Sequence, residues 1–409
     1  MSEKQNNKAL FFIFITVLVD SIGLGIIIPV LPGLIQKMMH CSVSEANYYG
    51  NAMLTVYALM QFVFAPIIGA LSDRYGRRPV LLLSLFGFGV DYLLLAFAPS
   101  IGWFFLGRII AGFTGASFTT ASAYIADVSP PEKRSQNYGI IGAGFGMGFI
   151  IGPAIGGFIS ELGDRIPFFV AAGLALLNWF YGFFILPESL KPENRRRFEW
   201  KRANPIGSLV HLKRYPALVG IALMFFLQSL AGQSLPSTWA YFSIERFNWS
   251  EGTIGASLAV VGISIALVQA VLNRILIPKI GEKRSIYAGL MFSILGFVFC
   301  AASFQSWMLF AACIPLALGG LAGPTIQGVA SKQVPANEQG ELQGFLTSLM
   351  SLTSILGPML FGFLFGFFTG HSAPAYVPGA PFYAAALLTL GTLFVGFVVL
   401  KRYLGAKAE

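Results

Sequence analysis

The sequence predicts an all-α polytopic membrane protein in which twelve transmembrane helices form two six-helix bundles. Three observations carry that expectation. Of the 409 residues 56% are hydrophobic and only 11% charged, with a mean hydropathy of +0.71, whereas a soluble domain carries about 25% charged residues. Apolar runs of about 20 residues, enough to cross a bilayer core, recur along the whole chain. One long polar segment, Pro187 to Pro216, divides those runs into two sets of six.

Taken in order, the runs fall at about 9–35, 46–71, 79–98, 101–127, 135–161 and 165–187, then at about 215–244, 252–278, 284–303, 306–330, 342–369 and 381–400. The first follows the short polar stretch MSEKQNNKAL; it is too long for a signal-peptide core and has no small-residue cleavage site, so no cleaved signal is expected. The second ends in the polar turn GALSDRYGRR, the third holds Asp91, and the fourth holds Arg108 and closes on Asp127. The fifth contains GAGFGMGFIIGPAIGG (Gly142 to Gly157), rich in the two residues that least favour a helix interior in water. Glycine and proline are commoner in membrane helices, so the run still reads as a span. The expected organisation is an N-terminal bundle over 1–187, a cytoplasmic linker over 188–214 and a C-terminal bundle over 215–409. A weak internal repeat supports it: NRILIPKIGEKRSIY answers GALSDRYGRRPVLL, and ILGPMLFGF answers IIGPAIGGF. Parallel repeats of this kind build a major class of secondary transporters.

The net charge of +9 is a topology signal. With both termini on one side, twenty-two of the 27 Lys and Arg residues lie in the tails and loops of that side, which the positive-inside rule makes cytoplasmic. Nucleic acid is not an expected partner. Three scattered cysteines and three scattered histidines lack the spacing of a metal site, and no phosphate-cradling GxxxxGK[ST] loop or Ser/His/Asp arrangement is present. The chain is therefore read as a non-enzyme without metal or cofactor, working as a monomer in the bilayer.

Ionisable residues inside spans are functional candidates because each costs about 2.5–3.5 kcal/mol to insert. Asp20, Asp91, Arg108 and Arg274 are the clear cases; burial disfavours a charged carboxylate and so makes proton uptake from water by Asp20 or Asp91 a workable chemistry. The competing reading is a structural Asp–Arg pair that never titrates. Asp127 reads as a structural cytoplasmic residue near Lys133 and Arg134, and Arg274 as a side chain reaching the cytoplasmic surface. Gly144, Gly148, Gly152 and Gly156 recur every four residues, the spacing that brings membrane helices close, and Pro153 invites a kink. Tyr57, Gln61, Gln228, Gln233, Ser237 and Trp239 offer a half-polar, aromatic lining suited to an amphipathic organic substrate, or simply hydrogen bonds between helices.

Several of these motifs resemble the major facilitator superfamily. Gly69, Asp73, Arg74, Gly76, Arg77 and Arg78 match its loop signature, which implies a conformational gate. Gly148, Gly152, Pro153, Gly156 and Gly157, with Gly144 on the same face, resemble the fifth-helix signature of its antiporters. Arg108 resembles the fourth-helix arginine associated with proton coupling. DSIGLGIIIPVLP, YALMQFVFAPIIGALSDRYGRRPVLL, AGQSLPSTWAYFSIERFNW, GEKRS and ELQGFLTSL together are similar to the tetracycline/proton antiporter branch. That resemblance implies export by alternating access against entering protons, gives weight to Asp20 and Asp91, and makes Gln61 and Gln233 substrate contacts. It also implies a bacterial inner membrane. The sequence departs from the branch in the ninth span, where Ser293 stands near the expected acidic residue; the coupling carboxylate then falls to the first half, and the substrate is left open. Alternatives are export of a metabolite or siderophore, and a sensor without turnover.

Overall fold

A computed structural model describes residues 3–115, 117–130, 134–196, 216–334 and 339–404. The expected linker is described only as far as Arg196; Arg197, Lys201, Arg202, Lys213 and Arg214 lie outside the described residues, as does Lys133. Among the described residues, twelve helices are long and apolar enough to cross a bilayer: α1 Ala9–Met39, α2 Val43–Tyr75, α3 Arg77–Phe97, α4 Ile101–Val128, α5 Asn137–Leu162, α6 Ile166–Ile185, α7 Leu218–Phe247, α8 Glu251–Ile280, α9 Glu282–Ala302, α10 Ser306–Ser331, α11 Leu342–Thr369 and α12 Ala380–Leu400. A helix is the form such apolar runs take, since each backbone N–H and C=O must find its partner within the segment.

The internal repeat is in register through the middle of each half. Gly76 and Gly281 both adopt positive φ, 107° and 81°, where a side chain would be strained. A 21-residue helix starts immediately after each. The next helix begins with a 14-residue segment in both halves, Ile101–Thr114 and Ser306–Gly319. Each then breaks and resumes, as Ser117–Val128 and as Ala322–Ser331. One offset of 205 residues (Gly281 less Gly76) also carries Pro153 in α5 onto Pro358 in α11.

The chain groups into two compact units, each drawn from three stretches rather than from one half alone. One comprises Met1–Cys41, Val56–Pro205 and Ser250–Ala259; the other comprises Ser42–Thr55, Ile206–Trp249 and Val260–Glu409. Thus the first turns of α2 join the second unit, and the first turns of α8 join the first. In the first unit α1 lies along α5 and α6 while α3 lies along α4 and α6. Phe12, Ile13, Leu81, Leu85, Tyr124 and Ile125 form part of its buried core. In the second unit α9 packs on α10 and α12, and α12 on α7, around Met224, Ile286, Leu290, Ile326 and Leu346.

Candidate functional site

The antiparallel pairing of α3 and α4 brings Asp91 and Arg108 together across 17 residues of sequence. Arg108 Nη2 donates to Asp91 Oδ2 at 3.0 Å, and both side chains are buried. The other oxygen, Oδ1, has no hydrogen-bond partner among the described residues. Gly107 supplies its room: a Cβ there would lie 2.6 Å from Asp91 Oδ1 and 2.7 Å from Leu95 Cδ2. Asp20 of α1 is buried in the same unit. Tyr57 of α2 and Tyr92 of α3 both stand within electrostatic reach of Asp20, Asp91 and Arg108.

Asp91 and Arg108 are thus paired directly, while Asp20 is linked to them only through Tyr57 and Tyr92, which reach all three. Sequence reasoning missed Tyr92, which is fully buried beside Asp91 with its hydroxyl against Gly23 of α1. Its signal was the glycine in DSIGLG, placed where a side chain would collide with the phenol.

The loop signature folds into a charged cluster at the start of α3. Asp73 and Arg77 pair at 2.5 Å across the turn. Arg77 Nε donates to Asp127 Oδ2 at 3.1 Å and its Nη1 to Ser72 Oγ at 2.6 Å. Asp127 finds a cation in Arg77; Lys133 and the Arg134 side chain, expected near it, lie outside the described residues. Glu188, just beyond α6, receives the backbone N–H groups of Arg77 (2.9 Å) and Arg78 (3.3 Å), an anion on the positive end of a helix. Arg78 donates to Phe183 O at 2.7 Å, and Arg74 lies over the Tyr75 ring. A polar cavity of about 580 Å³ opens here, lined by Asp73, Arg77, Asp127, Leu190, Glu193, Asn194, Arg195 and Arg196. Gly69 makes no close helix contact: a Cβ there would meet only Thr119 Cγ2, at an ordinary 3.6 Å.

The glycine-rich α5 has two working faces. Gly144, Gly148, Gly152 and Gly156 lie against α1; added Cβ atoms would come 3.1 Å from Phe14 O, 2.8 Å from Leu18 O, 2.6 Å from Ile22 O and 2.8 Å from Ile26 Cα. With mostly backbone opposite, beside the Ser21 and Val17 side chains, these contacts have little room to relax. Gly157 serves the other face, and Pro153 meets both neighbours, its ring Cδ 2.8 Å from where a Cβ on Gly25 of α1 would stand and its carbonyl toward Gly255 of α8. A Cβ on Gly157 would lie 3.1 Å from Gly252 Cα, and one on Gly255 would lie 3.1 Å from Gly157 Cα, so the first turns of α8 sit backbone to backbone on α5.

The substrate candidates divide by unit, Tyr57 and Gln61 in one and Gln228, Gln233 and Trp239 in the other. Gln61 Nε2 donates to Gly115 O at 3.3 Å and lies 3.5 Å from Tyr57 Oη. Gln233 Nε2 donates to Ser354 Oγ at 3.1 Å, and Gln228 Nε2 reaches Ser293 Oγ at 3.5 Å. Trp239 does not line an open surface. It is 1% exposed and packs edge-on against Phe382. Ser237 is likewise fully buried. Arg274 is exposed on the later part of α8.

This geometry belongs to a known family. The model of the Major Facilitator Superfamily matches residues 13–299 and 238–407. The chain belongs to the Major Facilitator Superfamily. It is 41% identical to the tetracycline resistance protein, class C, of Escherichia coli over 94% of this chain and 97% of that protein. It is 36% identical to the class B protein of Escherichia coli over 98% and 99%. Among solved structures, a bacterial homologue of the human lysosomal transporter Spinster, inward-facing and occupied, superposes with a TM-score of 0.79 at 17% identity, covering 99% of each chain. The human organic anion transporter MFSD10 gives 0.71 at 22% identity over 97% and 100%; both show the shared fold. The protein is thus a multi-pass membrane transporter of the major facilitator fold, and its loop signature, glycine-rich α5 and buried Asp91–Arg108 pair are features of this chain to be explained in that setting.

Proposed function

We propose that this transporter exports a small amphipathic organic compound, tetracycline-like in character, in exchange for protons. The observation that carries the reading is the Asp91–Arg108 pair, a carboxylate and a guanidinium buried together at 3.0 Å inside adjacent spans. A membrane-embedded carboxylate that alternates between charged and neutral can couple proton entry to another movement. A proton arriving at Asp91 cancels the charge that holds Arg108. The guanidinium is then left to Tyr57 and Tyr92, polar groups within its reach that also reach Asp20. Gln61, one turn along α2 from Tyr57, and Gln228 and Gln233 of α7 are the polar contacts for the exported compound. Relatives named tetracycline resistance proteins, 36% and 41% identical over nearly the whole chain, support the substrate class.

Alternating access supplies the cycle and the proton gradient the driving force, with no cofactor. The chain acts as a monomer in an inner membrane with both termini in the cytoplasm, the placement the positive-inside rule favours. The coupling chemistry lies in the first half, because the second answers Asp91 with Gly296 and Arg108 with Cys313 in the repeat register. Gln228 and Ser293 make a neutral pair there.

The test is reconstitution in liposomes holding a pH-sensitive dye, challenged with tetracyclines, cationic dyes and iron chelators, beside Asp91→Asn and Asp20→Asn. Proton movement triggered by a tetracycline, and lost in Asp91→Asn while binding persists, is the expected result. Binding without proton movement in the wild type would overturn proton antiport.

A further inference from the structure

The first turns of α2 carry three buried polar residues on one face, Ser44, Asn47 and Asn51, spaced three and four apart. All three are at most 5% exposed. Each donates its side-chain hydrogen to a main-chain carbonyl of a neighbouring helix: Ser44 Oγ to Gly366 O at 3.1 Å, Asn47 Nδ2 to Gly362 O at 2.7 Å and Asn51 Nδ2 to Ser237 O at 3.0 Å. Asn51 Nδ2 also reaches Asn47 Oδ1 at 2.8 Å, tying the two amides together. Gly362 and Gly366 make the approach possible. A Cβ on Gly362 would lie 2.7 Å from Asn51 Cβ, and one on Gly366 would collide with the Tyr48 ring.

Two features distinguish this seam from ordinary packing. First, the three acceptors lie inside α11 and α7, and a carbonyl in a helix has a second lone pair to offer. Gly366 O, for instance, already accepts the Gly370 N–H at 2.9 Å. When the α2 donors leave, no acceptor is stranded; only the two amides and one hydroxyl need water. Second, the same helix changes company along its length, since α2 joins the other unit from Val56 onward. Bonds of this type between membrane helices average about 0.6 kcal/mol each, enough in sum to favour one state and small enough to release within a transport cycle.

We infer that Ser44, Asn47 and Asn51 form a releasable latch holding the start of α2 on α11 and α7, and that its release is the step that opens the path at the external end of α2. The three are positioning residues, and the inference rests on the alternating-access reading above. It places a rate-setting device in residues outside the ion pair and outside the glutamines proposed to contact the exported compound.

A reversible crosslink tests it. A Cβ on Gly370 would lie 3.7 Å from Ser44 Oγ, so Ser44→Cys with Gly370→Cys, in a chain whose Cys41, Cys300 and Cys313 are serine, brings two thiols within bonding reach. Copper–phenanthroline oxidation in liposomes is expected to abolish tetracycline-driven proton flux while tetracycline binding persists, and reduction to restore the flux. Full flux in the crosslinked protein would overturn the latch. In parallel, spin labels at the external ends of α2 and α11 report the separated population. Asn47→Ala and Asn51→Ala should each raise the ratio of separated to joined forms about threefold, the equivalent of about 0.6 kcal/mol at about 1.4 kcal/mol per tenfold. An unchanged distance distribution in the double variant would equally overturn it. The label measurement needs no transport, so a wild type that moves no proton would sink the antiport reading while the latch stood or fell on the distances.

Discussion

Arg77 and Glu282 occupy the same place in their repeats, each the first residue of a 21-residue helix behind a positive-φ glycine, and they carry opposite charges. Their partners are matched too. Asp127 and Lys332 lie at the same offset near the ends of α4 and α10, and the pairs close at 3.1 Å and 2.6 Å. The second half thus repeats the link between helix start and helix end with its polarity reversed. The surroundings differ more than the distances. The Arg77 side chain is 9% exposed and bonds Asp73 and Ser72 as well, whereas the Lys332 side chain is 59% exposed and bonds Glu282 alone among the described residues. Deeper in the membrane the divergence is complete, with Asp91–Arg108 answered by Gly296 and Cys313. A shared backbone frame leaves each half free to place its charge differently, and burial decides which placement has consequences.

The sharpest way to break this comparison is to give the first half the second half's apolar interior. Asp91→Ala alone leaves the Arg108 guanidinium buried without its partner and should destabilise by about 3–5 kcal/mol. Replacing both, as Asp91→Leu with Arg108→Met, should recover most of that loss, since a buried pair exchanged for packed apolar groups is often neutral or better. Proton flux should stay absent in both. Unfolding in mixed detergent, beside the liposome assay, measures the two outcomes. A double variant no more stable than the single one would show that the pair is not the unit that matters.

A smaller effect separates the Arg77–Asp127 and Lys332–Glu282 pairs. Arg77→Ala strips the donors from Asp127, Asp73 and Ser72 together and should cost about 1–3 kcal/mol. Lys332→Ala removes one exposed pair and should cost about 0–1 kcal/mol, less at high salt. Equal losses in a detergent unfolding series would mean that burial is not what distinguishes the two turns.

The twelve spans were legible because lipid demands long apolar runs and nothing else in the chain imitates them. The buried Asp20 and the Asp91–Arg108 pair were legible for the converse reason, that charge inside such a run stands out. The two faces of α5 were only half visible. Four-residue glycine spacing announced the face toward α1, but the role of Gly157 against α8 depends on a helix about a hundred residues away. Trp239 misled because an aromatic residue beside polar ones reads alike in a cavity wall and in a core; the packing of Phe382 decides it. The Asn47–Gly362 bond left no sequence signal, since its acceptor is a backbone carbonyl and carbonyls are everywhere. The changes of company along α2 and α8 were equally hidden, because a helix reads the same whichever neighbours cover it.

The smallest expected effect lies at the opposite membrane face, where the halves again share one device and differ in an addition. Arg165 Nη1 donates to Leu95 O and Ala96 O at the end of α3 (3.2 and 3.1 Å), and Arg246 Nε donates to Ser303 O just after α9 at 3.3 Å; each arginine meets carbonyls at the negative end of a helix. Only the second half adds Tyr376, whose hydroxyl donates to Glu245 Oε1 at 2.8 Å. Burial, and then that bond to a carboxylate, push the Tyr376 phenol up from 10.0 to about 12. The neutral phenol is the form that donates, so its contribution is complete below pH 10 and disappears as pH rises through about 12. Tyr376→Phe should therefore lower the unfolding midpoint slightly at neutral pH, with the gap to wild type closing across that alkaline window, and should remove one phenol ionising at about 12 from an ultraviolet titration. A constant gap through the window would assign the loss to packing of the ring in its loop. The added contact would then be steric, and the arginine on the helix end would remain a polar device that the two halves share at this face.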